Sequence, residues 1–290
     1  MTTRLVAAGV VVLMGGAVGG AVAPSAQQPT FSAKRESVRV DVLVTDRGKV
    51  VTGLGASDFE VRDNGVPQTV ELVSFQQIPL NVFLAFDVSS SVSGERLMHL
   101  QNAGHALLDR LAKDDRSALL TFSHTVLLRE GLTGTTARIR QALTDVQPYG
   151  DTALVDGAYA AIMLDPLDGG RNLLLMFSDG LDTASWLTPE RVLDSAKRSD
   201  FVVYGVSSRG PEDSKFLEDL TELTGGTTLK IESTRDLSAT FLKILDEFRQ
   251  RYLISYSPTG VPAGGWHRLD VRVKGRRVMV KSRAGYQAGA

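Results

Sequence analysis

The sequence predicts a doubly wound α/β domain with a mostly parallel sheet, accompanied by a small β-sandwich drawn from both ends of the chain. Three observations predict it. Between residues 80 and 250, four nearly continuous apolar runs alternate with amphipathic helical patterns, and strands apolar throughout are those covered by helices on both faces. On either side of that stretch, residues 37–75 and 251–286 alternate apolar and polar side chains with period two, the mark of half-buried strands. Neither flank holds enough residues for a core of its own, since chains below about 40 residues rarely fold alone.

At the N-terminus, the single charge of Arg4, an apolar run over residues 5–22 and a small-residue exit through Ala23, Pro24, Ser25 and Ala26 predict a secretory signal peptide spanning residues 1–26. Pro24 disfavours a cut directly after Ala23 and places it near Ser25 or Ala26. An uncleaved segment would anchor the chain in a membrane, but the run is marginal against the roughly 20 apolar residues that a spanning helix needs. Export to the periplasm or the cell exterior is therefore expected. The Gly pairs at 15–16 and 19–20 precede no strand–helix unit, which removes them as a nucleotide loop.

Beyond that segment, Val38, Val40, Val42 and Val44 alternate with polar residues, as do Phe59 and Val61, then Val70 and Leu72. Asp46-Arg47-Gly48 and Asp63-Asn64-Gly65 mark turns between them, the second carrying the Asn-Gly hairpin pair. The central strands are expected at 80–86, 118–122, 172–177 and 201–206. Helices are expected at 96–111, 136–146, 153–164, 189–196, 215–223 and 237–248. Strands return at 252–257, 268–273 and 278–283, and these are expected to pair with residues 37–76. The basic group Lys274-Gly275-Arg276-Arg277 reads as a hairpin tip.

Composition narrows the function. With 32 basic against 33 acidic side chains, the formal charge is −1, so the broad basic footprint of a nucleic-acid binder is missing. The absence of cysteine excludes disulfides, thiolate metal sites and cysteine nucleophiles. No Gly-x-Ser-x-Gly elbow surrounds a serine. His99, His105, His124 and His267 have no evident catalytic partner and read as surface or packing residues.

In a doubly wound sheet the site lies beyond the carboxyl ends of the strands, where strand order reverses. Three segments there share one chemistry. The first central strand runs into Asp87-Val88-Ser89-Ser90-Ser91, the third ends in Ser178-Asp179-Gly180, and the loop before the helix at 153 reads Gly150-Asp151-Thr152. All are oxygen donors, the set that a hard cation such as Mg²⁺ takes. Each alone has a plainer reading, because Ser and Asp also fill turns and cap helices, and Thr152 is placed to cap the helix at 153. An aspartyl-phosphate enzyme is disfavoured because Ser89 stands where its second acid would be.

Together, Asp87-x-Ser89-x-Ser91, Thr152 and Asp179 resemble the metal-ion-dependent adhesion site of von Willebrand factor type A domains, over about residues 80–250. On the flanks, Val44-Thr45-Asp46-Arg47-Gly48, Asp58-Phe59-Glu60-Val61 and Arg283-Ala284-Gly285-Tyr286 resemble a related family described from acidobacterial genomes. Asp151 departs from the pattern, where many relatives have Gly. The resemblance implies that Asp87, Ser89, Ser91, Thr152 and Asp179 hold Mg²⁺, Mn²⁺ or Ca²⁺. It further implies that the cation accepts an acidic residue of a protein partner, without catalysis. Asp156 and Tyr159 match the family's appearance but read equally well as a helical face. Two alternatives stay open: a metal-assisted hydrolase, for which no general base is evident, and a subunit whose cation only stabilises the fold.

Overall fold

The computed structural model describes residues 37–74, 78–166, 168, 170–179, 181–208 and 215–289, so the expected signal peptide at 1–26 lies outside the described residues. Among the described residues no helix is long and apolar enough to cross a membrane.

The N-terminal segment forms β1 (Val38–Asp46), β2 (Lys49–Val50), β3 (Phe59–Asp63), β4 (Val66–Gln68) and β5 (Leu72–Ser74). Arg47 and Asn64 take positive φ, each followed by a positive-φ glycine, Gly48 and Gly65. That is the backbone a two-residue hairpin turn demands. The central segment follows as β6 (Leu80–Asp87), α1 (Glu95–Asp109), β7 (Arg116–Phe122), β8 (Val126–Thr133), α2 (Thr136–Thr144), α3 (Leu154–Ile162), β9 (Arg171–Ser178), α4 (Pro189–Ala196), β10 (Phe201–Ser207), α5 (Lys215–Thr224), β11 (Thr228–Lys230) and α6 (Leu237–Arg249). The chain closes with β12 (Tyr252–Tyr256), β13 (Gly265–Val273), β14 (Met279–Lys281) and β15 (Gly285–Ala288).

The central sheet has the order β11-β10-β9-β6-β7-β8, parallel except for β8, which runs antiparallel to β7. Every residue of β6 is buried, and its alternate side chains serve two cores. Val82, Leu84 and Phe86 pack with Leu100, Leu107, Phe241 and Phe248, on the face covered by α1 and α6. Phe83 and Ala85 pack with Leu154, Val155, Ala158 and Leu217, on the face covered by α3, α4 and α5. A strand alternates sides with each residue, so an apolar run of this length has to be sandwiched between helices.

Strands of both flanks form two antiparallel sheets, β14-β1-β12-β5 with β2 beside β1, and β15-β13-β3-β4. One core joins them, containing Val40, Val42 and Val44 of β1, Phe59 and Val61 of β3, Tyr252 and Ile254 of β12, and Val271 of β13. At its end lies a polar knot around enclosed Asp63, which accepts hydrogen bonds from buried Tyr256 (2.9 Å), half-buried Tyr286 (2.8 Å) and buried His267 Nδ1 (2.7 Å). His267 is a packing residue, as expected, but its acidic partner is a surprise, since Asp63 occupies a position that reads as turn.

The sandwich rests on the amino ends of the central strands. Asp41 of β1 pairs with Arg171, the first residue of β9, at 2.8 Å from Nε. Arg283 reaches Asp200, just before β10, at 3.2 Å. Buried Arg251 donates to Tyr204 (2.8 Å) and to the Gly225 carbonyl (2.7 Å). The carboxyl ends are thereby left clear.

Candidate metal centre

Chain order sets the position of the site. From β6 the chain builds outward through β7 and β8, then returns to the far side of β6 with β9, β10 and β11. The reversal falls between β6 and β9, and their carboxyl ends carry Asp87 and, one residue past β9, Asp179. A crevice opens at such a reversal.

Asp87 is wholly buried. Its Oδ1 accepts the Ser89 amide at 2.9 Å and its Oδ2 the Ser178 hydroxyl at 2.7 Å. Burial pushes the Asp87 carboxyl above the usual carboxylate range, against the pull of the donors from Ser178 and Ser89. An enclosed carboxylate is costly unless a positive charge stands near. Ser89 Oγ lies 3.0 Å from Ser91 Oγ, and Ser91 Oγ donates to Asp179 Oδ1 at 2.6 Å. Ser89, Ser91 and Asp179 thus form one contiguous run of oxygens, with Asp87 beneath it.

Thr152 is placed by the backbone. The Ser90 amide donates to the Gly150 carbonyl at 2.9 Å, fastening the first loop to the second. Gly150 has φ +69°, and a Cβ there would meet His124 Nδ1 at 1.8 Å, so only glycine fits. The Thr152 carbonyl accepts the amides of Thr183 (2.8 Å) and Ala184 (3.0 Å). Among the described residues no hydrogen bond joins the Thr152 hydroxyl to the other four side chains. Nor does Thr152 cap a helix: α3 begins at Leu154, with Ala153 at the cap position. Asp151 is exposed at the rim.

The donor set suits a small hard cation. For metal–oxygen distances near 2.1 Å, the edge of an octahedron is about 3.0 Å, the spacing of Ser89 Oγ and Ser91 Oγ. Among the described residues no group of three or more His, Cys, Asp and Glu side chains is placed to hold a metal ion. A cation here would rest on hydroxyls and two carboxylates.

Three residues of this region carry roles that sequence reasoning did not assign. Arg96, in the first turn of α1, donates to Asp179 Oδ2 at 2.7 Å and to the Ser91 carbonyl at 3.0 Å. Its side chain is 51% exposed, whereas that of Asp179 is 1% exposed. Ser178 holds Asp87 in place. Asp156, in the first turn of α3, accepts the amides of Trp186 (3.0 Å) and Leu187 (2.9 Å). An Arg five positions after Ser91 has no signature in sequence, while an acid in a first helical turn was visible but ambiguous.

A doubly wound, mostly parallel sheet with helices on both faces, and acidic and hydroxyl side chains gathered at its reversal point, defines the class of the fold. A family model for the von Willebrand factor type A domain matches residues 81–242, and the chain belongs to that family. Among curated proteins it is similar to inter-alpha-trypsin inhibitor heavy chain H2 of Mus musculus, with 24% identity over 188 residues, covering 59% of this chain and 20% of that protein. It is also similar to an uncharacterized protein of Synechocystis, with 31% identity over 84 residues, covering 28% of this chain and 20% of that one. The chain thus spans about a fifth of the length of these relatives. Among solved structures it is similar to proximal thread matrix protein 1 from the mussel byssus with zinc occupying its MIDAS motif. That match has a TM-score of 0.54 and 18% identity, covering 63% of this chain and 48% of that one. The D319A mutant of the PilB minor pilin from Streptococcus sanguinis gives a TM-score of 0.50 at 15% identity, covering 60% and 62%. Likenesses at this level describe the fold.

Proposed function

We propose that this chain is an exported, non-catalytic binding protein. Asp87, Ser89, Ser91, Thr152 and Asp179 hold a divalent cation, Mg²⁺ or else Mn²⁺ or Ca²⁺, and the site recognises an acidic residue on a protein partner. One observation carries the reading: the oxygens of Ser89, Ser91 and Asp179 stand in contact at the reversal point above buried Asp87. A cation in this set supplies an electrophilic position for a carboxylate, because neutral hydroxyls leave much of its charge uncompensated. Ser178 and the Ser89 amide occupy both oxygens of Asp87, which suits a carboxylate acting at longer range, through water. Export rests on residues 1–26. The mussel protein, which holds zinc in the corresponding motif, lends support by fold.

The test is calorimetric titration of Mg²⁺ and Mn²⁺ into the wild type, Asp87→Ala and Thr152→Ala. Both variants are expected to lose binding while keeping the wild-type circular dichroism. Undiminished binding in both removes the assignment. Phosphate-ester hydrolysis dependent on Asp87 would replace recognition by catalysis.

A further inference from the structure

Trp186 is 93% exposed, an unusual position for the largest side chain in the chain, since water-exposed indole forgoes the stabilisation that burial supplies. Mobility of the backbone does not explain it. The segment 181–187 is tied down along its length: Thr183 and Ala184 donate to the Thr152 carbonyl, and Trp186 and Leu187 donate to the two oxygens of Asp156. Asp182 accepts the Val155 amide at 3.3 Å, and the Ser185 hydroxyl accepts the Asp156 amide at 3.1 Å. Leu187 packs inward on the core beneath α3 and α4. Leu181, two residues past Asp179, is 48% exposed. An indole fixed in water by a pinned backbone is preorganised for contact, and Trp is the residue most enriched among those that dominate binding energy.

We propose that Trp186 and Leu181 form the apolar half of a two-part recognition surface whose polar half is the cation site. Its occupant is a protein segment carrying an Asp or Glu with an aliphatic side chain one or two residues away. The inference rests on the cation reading above and extends it to the sequence of the partner. Continuity with that site selects the occupant. The amide of Ala184 is bonded to the carbonyl of Thr152, and Trp186 lies two peptide units further on, within about 8 Å of Cα–Cα reach. An extended segment rises about 3.3 Å per residue. One segment a few residues long can therefore span the two parts of the surface, with its carboxylate at the cation and an aliphatic side chain for the indole.

The experiment uses Trp266→Phe as background, which leaves Trp186 as the sole indole of the chain. Two end-blocked peptides serve as probes, a Ser-rich heptapeptide with one central Asp and its analogue with Leu two positions away. In Mg²⁺ the Leu peptide is expected to shift the Trp186 emission to the blue, and chelator is expected to abolish the shift. Trp186→Ala is expected to weaken the Leu peptide at least fivefold, followed by calorimetry, without changing the affinity for Mg²⁺ or for the Ser peptide. Equal affinity of the Leu peptide for wild type and Trp186→Ala overturns the proposal and leaves the cation site standing. A blue shift that survives chelator, or no binding of the Leu peptide to Mg²⁺-loaded protein, overturns it as well. Failure of Mg²⁺ to bind the wild type is seen directly in the same calorimetry and removes both readings.

Discussion

Arg96 is the residue whose placement changes the expected behaviour of the site most. Its guanidinium holds the outer oxygen of Asp179, so a cation arriving there meets a carboxylate already partly neutralised. Arg96→Gln is expected to raise Mn²⁺ affinity about three- to tenfold. The gain is modest because the guanidinium is half in water, where ion pairs are screened. The variant's melting temperature should also rise more steeply with added cation than that of the wild type, since its Asp179 lacks a counter-charge when the site is empty. Unchanged or weaker affinity would show that Arg96 cooperates with the cation instead of competing with it. Part of this chemistry was legible beforehand. Asp87, Ser89 and Ser91 announce themselves because alternate positions of one turn carry oxygen donors, and Asp179 because it ends an apolar run. Arg96 and Ser178 did not, since each meets its carboxylate only through the packing of separate elements: α1 against the end of β9 for one, β9 beside β6 for the other.

At the scale of elements, the apolar runs made β6, β7, β9 and β10 readable because a strand covered on both faces keeps its few polar residues mostly to its ends, as with Asn81, Arg171 and Asn172. The edge strand β8 was not readable. It carries Arg129 and Glu130 in its middle and leaves Leu127 and Leu128 substantially exposed, and its pairing with β7 is interrupted by register irregularities. With three residues, β11 is too short for any periodicity. The segment 181–187 reads as a loop in sequence, and only the structure shows that Asp156 organises it. Asp156→Ala removes the acceptor of the Trp186 and Leu187 amides at once, a net loss of about 1 kcal/mol for the partly buried Leu187 bond and less for the exposed Trp186 bond. Limited proteolysis is expected to cut this variant within 181–187 under conditions that spare the wild type. Equal protection would mean that the bonds to Thr152 suffice alone.

Over the whole molecule, the two flanks depend on one another. β1 lies between β14 and β12, and β3 lies between β13 and β4, so each sheet mixes strands from both ends. Asp63 shows the dependence at one atom group, for its partners Tyr256, His267 and Tyr286 all come from the opposite flank. Asp63→Ala leaves two buried polar groups, on Tyr256 and His267, without this acceptor and is expected to lower stability by about 2 kcal/mol or more, read from urea unfolding. Residues 251–286 should at the same time become the first site of protease attack. A loss below 1 kcal/mol would mean that the apolar core alone holds the flanks together. The period-two alternation showed that both flanks are strands, and their small size that they must share a core. The register and the knot were beyond it, because which strands pair is decided by three-dimensional contact.

The same knot has a consequence for the order in which the chain acquires structure. Asp63 and Tyr286 are 223 residues apart, and contacts of that separation are slow to form because the closure of so long a loop precedes any gain from it. The central sheet closes shorter loops, 91 residues between Asn81 of β6 and Asn172 of β9, and is free to consolidate first. During this interval β1 and β3 expose unpaired edges and apolar faces, the surfaces from which aggregation starts. Refolding from urea should therefore be biphasic, with the central sheet protected from amide exchange well before residues 38–63, and with a yield that falls as protein concentration rises.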